Sequence, residues 1–483
     1  MNMVDTITVE PSTINKEVEL RSLKYFILLF GVFSLLAFST VSSWFIVFLI
    51  LYICLWACVD FVFALFILLG IAIAQGKVGL LFHTGANVII DDIYLVEIFF
   101  PVFSISFLLK SRKFFLGNKV WHKNVKESII LIFAFVIWTV ICVSFSEWKI
   151  RGLTQSVHTL FFFLYLAMFS TFSTKELHRV MAILLFWGVI LFIMALLCIL
   201  GIPFEFESVE LTRTLRLKLE FFGGGKRASL LSPPAVTAVT LGLCAWSAYA
   251  LGILRKKKRL LFLFFGFLIS IGIFYTRTRS EMVGFLFAGF ALVAILGWPK
   301  GYTIRGLSLW FLYVLVVWVL ASGLNLSGAL KRIETSTDIG EQASLGIRLG
   351  LWKQGFIDIG QSYGMGKGTG GFFDYNDQWP HAHNVYFSVL FDLGIIGFFL
   401  WVLVYLNLWR LVILSLKSLS YFSREWLMII FFAAFFVELS LTSLLQHEYT
   451  HFMWWLFPGI LLASINNGLK ACELPIVPGE STS

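Results

Sequence analysis

The residues best suited to chemistry are a histidine and two arginines, each at the end of a long apolar run. His383 precedes Asn384 where a polar stretch gives way to an apolar one. Nine residues separate Asn384 from Gly394, and Gly397 follows. An imidazole changes charge near neutral pH and can accept a proton from a hydroxyl. At a water–lipid boundary it could do so beside a lipid-borne substrate. The plainer alternative is an interfacial histidine that caps the following helix with Asn384. His381 carries the same group but does not begin the nine-residue spacing. Arg279 sits in Thr276-Arg277-Thr278-Arg279-Ser280, and Arg227 follows Gly223-Gly224-Gly225-Lys226. A guanidinium presents a planar fork to phosphate oxygens, and glycines permit close backbone approach to an anion. Two such arginines could clamp a diphosphate. Otherwise they simply snorkel from span ends into the interface.

The elements that must position these groups are helices in a membrane. Of the 483 residues, 59% are hydrophobic and 13% charged, against roughly 25% charged in soluble domains. Mean hydropathy is +0.88. Hydrocarbon leaves each backbone polar group to be satisfied within its own segment, so long apolar runs read as helices. Spans are expected at about 91–109, 127–145, 152–172, 177–200, 233–254, 258–276, 280–298, 306–325, 384–410, 425–446 and 449–466. Two or three more are expected within 24–75, and three would give fourteen in all. The expected fold is all-α, a polytopic transmembrane helical bundle of about 12–14 spans with one large, partly helical periplasmic loop. Its parts are a cytoplasmic N-terminal segment 1–23, a transmembrane region 24–325, the periplasmic loop 326–383, helices over 384–466 and a cytoplasmic tail 467–483. Residues 1–23 are polar with mixed charge, unlike a cleaved signal peptide.

Charge asymmetry orients the bundle. The formal charge is +9. Lys and Arg concentrate in 110–126, 255–259 and 410–424, which the positive-inside rule places in the cytoplasm. Residues 76–90, 201–232, 276–280, 326–383 and 446–449 then fall outside. This placement accounts for the basic balance and leaves no case for nucleic acid.

Several other features invite a plainer reading. The loop should form a helix over 344–359, with Leu345, Leu349, Trp352 and Phe356 on one face. Gly364, Gly366, Gly368, Gly370 and Gly371 follow no strand and read as turns that shape the loop. Asp374 and Asp377 could ligate a cation but are more simply solvated, so no metal is expected. Asp60, Glu97, Asp392 and Glu438 fall inside apolar runs, where a charge is costly and informative. His447, Glu448 and His451 share an outer turn without a zinc-protease pattern. Six cysteines, five of them in apolar runs, give no reason to expect a disulfide.

Over roughly 220–466 these pieces resemble the O-antigen ligase family and its relatives, the Wzy-type polysaccharide polymerases and bacterial O-oligosaccharyltransferases. His383-Asn384 with Gly394-x-x-Gly397 resembles the ligase signature. Arg348-x-x-x-Trp352, then Gly364-x-Gly366-x-Gly368, is similar to the family's large periplasmic loop. Thr276-x-Thr278-Arg279-Ser280 resembles its Thr-x-Ser-Arg-Gly element, with Thr and Ser replacing Ser and Gly. Arg227 before Pro233 resembles its arginine before a proline-initiated span, although Pro234 stands where Asn is usual.

The resemblance implies a metal-independent, cofactor-free glycosyltransferase in the bacterial inner membrane. Its donor would be a glycan on undecaprenyl diphosphate, and its acceptor a hydroxyl on lipid A core. A second lipid-linked glycan or a protein would be the acceptor in the related enzymes. Arg227, Arg279 and Arg348 would hold the diphosphate and His383 would activate the acceptor. His381, Trp352, Asn384, Gly394 and Gly397 would support them. A transporter or flippase is the competing reading, but it calls for polar groups through the bilayer midplane rather than at outer span ends.

Overall fold

The computed structural model describes residues 44–74, 77–84, 87–115, 120–147, 149–199, 209–212, 215–218, 234–276, 278–297, 303–323, 344–371, 384–444 and 452–473. The membrane part is all-helical, as the apolar runs require. Among the described residues, eight helices are long and apolar enough to cross a membrane, and four shorter apolar ones accompany them. The helices are α1 (Trp44–Val59), α2 (Phe61–Ala74), α3 (Phe100–Phe115), α4 (Lys123–Cys142), α5 (Lys149–Phe169), α6 (Thr174–Ile199) and α7 (Pro234–Leu254). They continue as α8 (Arg259–Tyr275), α9 (Arg279–Gly297), α10 (Thr303–Gly323), α11 (Ser344–Gln361), α12 (Val385–Ser418), α13 (Arg424–Thr442) and α14 (Met453–Glu473).

Most bounds fall within a few residues of expectation, because span length follows from bilayer thickness and from local caps. Asn384 and Ser423 cap α12 and α13 by accepting from Phe387 N and Trp426 N. Two bounds differ. The run expected to span from residue 91 is extended to Tyr94, and its long helix starts at Phe100. The C-terminal helix runs to Glu473, beyond the expected tail boundary, because its last turns are stapled. There Asn466 Oδ1 accepts from His122 N and Lys470 Nζ donates to Val120 O.

A small four-stranded sheet was not anticipated. It comprises β1 (Lys77–Thr84), β2 (Asn87–Tyr94), β3 (Val209–Thr212) and β4 (Leu215–Lys218), ordered β2-β1-β4-β3 with antiparallel neighbours. Two loops that charge asymmetry placed on one side therefore pair with each other, Val78 opposite Leu217.

The chain divides into two compact units, Met1–Leu68 with Phe99–Lys113 and Leu69–Ile98 with Phe114–Ser483. In the first, Phe61 packs on Phe103 and Phe107, and Lys110 Nζ lies 4.0 Å above the Phe61 ring. In the second, α7 is almost wholly buried. Lipid provides little hydrophobic drive for helices to associate, so close packing at small residues must do it. Gly188 of α6 meets Cys244, Gly266 of α8 meets Tyr249, and Gly242 of α7 meets Glu438 of α13.

Candidate active site

The start of α12 is held by α13. Asn384 adopts extended backbone angles, and its Oδ1 accepts from Phe387 N at 3.0 Å. Its Nδ2 donates to Leu444 O at 3.0 Å, Val385 N donates to Ser443 O at 2.9 Å, and Tyr386 Oη donates to Ser440 O at 3.3 Å. The residue next to His383 is thus bound to the last turns of α13. His381, His383 and Arg227 lie outside the described residues, as do Asp374, Asp377, His447, Glu448 and His451. Asn384→Ala removes both the cap and the anchor. It should lower stability by about 1–2 kcal/mol, read as a reduced midpoint in thermal unfolding. An unchanged midpoint would show that the anchor contributes nothing.

α11 rests on the first turns of α12. Trp352 meets Phe387 edge-on at 4.8 Å, and Phe356 meets both Phe387 and Phe391. Gly355 lies flat against Phe391, where a methyl would not fit. The buried face runs through Leu351, Trp352 and Ile359. Leu349, expected on that face, is exposed. Arg348 is half-buried one turn before Trp352.

The glycine series shapes a plug. Gly364, Gly366, Gly368 and Gly370 all have positive φ, which only glycine adopts at little cost. The loop enters a break in α12 at Gly394, whose φ is 68° and ψ −170°. There Ile395 N donates to Gly364 O at 2.9 Å and Lys367 N to Phe391 O at 2.8 Å. Trp138 Nε1 donates to Leu393 O at 2.9 Å, so the carbonyls of Phe391 and Leu393 at the break both have partners. Gly397 packs on Trp138. Asp392 is buried beside the plug, and Lys367 pairs with Asp358 at 3.3 Å.

The arginine element is also organised by its threonines. Thr276 Oγ1 donates to Ile273 O at 2.7 Å and lies 3.1 Å from Thr278 Oγ1. Thr278 O accepts from Met282 N, so the turn between α8 and α9 closes with Arg279 as the first residue of α9. The Arg279 side chain lies outside the described residues. α9 packs on α13 through Gly284, where a methyl would sit 2.8 Å from Thr442 Cγ2. α7 begins at Pro234, shortly after Arg227, and reaches the same helix through Trp246, whose Nε1 donates to Glu438 Oε2 at 2.5 Å. The helices that begin at Arg279 and just after His383 therefore meet the same end of α13.

Residues 264–402 match the family model of the O-antigen ligases. No curated protein matches the chain. The O-antigen ligase match covers Arg279, Arg348, Trp352, His381, His383, Asn384, Gly394 and Gly397, and leaves Arg227 and α13 outside. Two buried polar pairs are only half visible in the sequence. Glu97 and Glu438 stood out as charges in apolar runs, whereas their neighbours did not. Glu97 pairs with His158 of α5, and Glu438 packs at Gly284 of α9, one turn after Glu281. His158 has no pattern around it that marks it, whereas Glu281 directly follows Arg279-Ser280 at the start of an expected span and is easily overlooked as part of that element.

Proposed function

We propose that the chain is a membrane glycosyltransferase that moves a glycan from undecaprenyl diphosphate to a hydroxyl of lipid A core, at the periplasmic face of the inner membrane. The acceptor oxygen bonds to the anomeric carbon while the bond from that carbon to the diphosphate breaks. His383 takes the hydroxyl proton, and undecaprenyl diphosphate leaves with the electron pair. Arg227, Arg279 and Arg348 neutralise the charge that develops on the leaving group. Preset cations in a poorly polarisable setting are suited to that task.

The observation that carries this reading is the O-antigen ligase match, together with the arrival of α9 and α12 at one end of α13. The test is a reconstituted assay with one lipid-linked glycan donor and, in turn, lipid A core, a second donor or a peptide. Glycan on lipid A core supports the ligase. Lengthened lipid-linked glycan alone would make the protein a polymerase, and glycopeptide alone an oligosaccharyltransferase. Donor moved between leaflets without any product would replace transfer by transport. In the same system Arg279→Lys should weaken donor binding by about 10–100-fold, because an ammonium cannot reproduce a two-pronged phosphate contact. Unchanged donor binding would remove Arg279 from the clamp.

A further inference from the structure

The interface between α9 and α13 contains two carboxyl groups with too few donors. Glu281 and Glu438 are each fully buried. Both oxygens of Glu281 and Oε1 of Glu438 have no hydrogen-bond partner among the described residues. The pair's one described donor is Trp246 Nε1, which is spent on Glu438 Oε2. Glu281 stands one turn before Gly284 on α9, and a methyl at Gly284 would sit 3.3 Å from Glu438 Cγ, so both carboxyl groups belong to this interface. Gly242 leaves room beside Glu438 Oε1, since a methyl at that position would overlap the oxygen.

An ionised carboxylate is acceptor-only and costly to bury alone. A second one beside it compounds the cost. The surrounding elements do not repair this. The remaining titratable groups of α7 are Cys244 and Tyr249, and the Tyr249 hydroxyl is engaged by Ser270 and Tyr313. The charged residues of α13 besides Glu438 are Arg424 and Glu425, at its opposite end. On α9 the other charged residue is Arg279, whose side chain, like that of Arg277, lies outside the described residues.

We propose that Glu281 and Glu438 form a buried site for one small monovalent cation, a proton or an alkali metal ion, between α9 and α13. The bound charge lets the two helices pack at Gly284, one turn below the end of α13 that anchors Asn384. This site would exist whether or not the chain transfers glycans, so its test does not use glycan transfer.

The protein in lipid nanodiscs is compared with Glu281→Gln, Glu438→Gln and the double variant. Glutamine keeps the shape and an acceptor for Trp246 but removes the charge. Two readouts are taken near neutral pH. One is the infrared absorption of protonated carboxyl groups. The other is the thermal midpoint in sodium, potassium or choline chloride. A proton in the site gives a carboxyl band in the wild type that is lost in the variants. An alkali ion gives a wild-type midpoint that falls in choline, and that fall disappears in the variants. Either result supports the site. A carboxyl spectrum unaltered in every variant that folds, with a wild-type midpoint equal in all three salts, overturns it. The salt comparison needs no variant, so a variant that fails to fold does not block it. Neutralisation of the pair by Arg277 or Arg279 would give that negative result.

Discussion

His383→Ala is expected to reduce glycan transfer by about 10²–10⁴-fold, the usual contribution of a positioned general base. Protein level and thermal midpoint should stay close to wild type. The structure sharpens this expectation. The histidine's other role, as a helix cap, is filled by its neighbour: Asn384 Oδ1 accepts from Phe387 N, and its Nδ2 holds Leu444 O. Removing the imidazole therefore leaves those bonds intact. The measurement is product formation by reconstituted protein, followed on a gel. Full activity would refute the general-base role. Lost activity with a lowered midpoint would show a structural role instead. His381→Ala serves as the companion variant and should retain most activity.

Gly394→Ala should have the largest effect on folding, about 3–5 kcal/mol. That is a large part of the roughly 5–15 kcal/mol that holds a typical native state together. Two costs combine. The φ of 68° with ψ of −170° belongs to a region that is essentially glycine's alone. A methyl there would also sit 2.5 Å from Met365 C and O, and closer still to Gly364 O. These are backbone atoms and cannot rotate away. Relieving the overlap would pull the plug out and break the bonds from Ile395 N to Gly364 O and from Lys367 N to Phe391 O. Gly360→Ala is the control. It lies in α11 with nothing near the added methyl, and should be neutral or stabilising by up to about 1 kcal/mol. The midpoints of the two variants in thermal unfolding decide the matter. Equal midpoints would mean that the break in α12 carries no strain.

The sequence by itself determined the helices, within a few residues at most ends. A span's length and apolarity are local properties, imposed by the need to satisfy each backbone group inside hydrocarbon. It also marked the glycine series as turns, and the spacing from Asn384 to Gly394 and Gly397. The tertiary structure alone decided what those glycines do: the loop at 364–370 fills the break at Gly394, an arrangement neither segment encodes alone. It decided that α13, with no motif of its own, receives Asn384 from one helix and Gly284 from another. It also decided that Glu438 packs one turn from Glu281, and that strand β1 pairs with β4. For the loop and the strands the reason is that backbone donors and acceptors find partners in segments remote in sequence; for the helices it is the sameness of their apolar faces. An apolar helix in lipid has no strongly preferred buried face, so its rotation and its neighbours are set by close contacts between segments far apart in the chain.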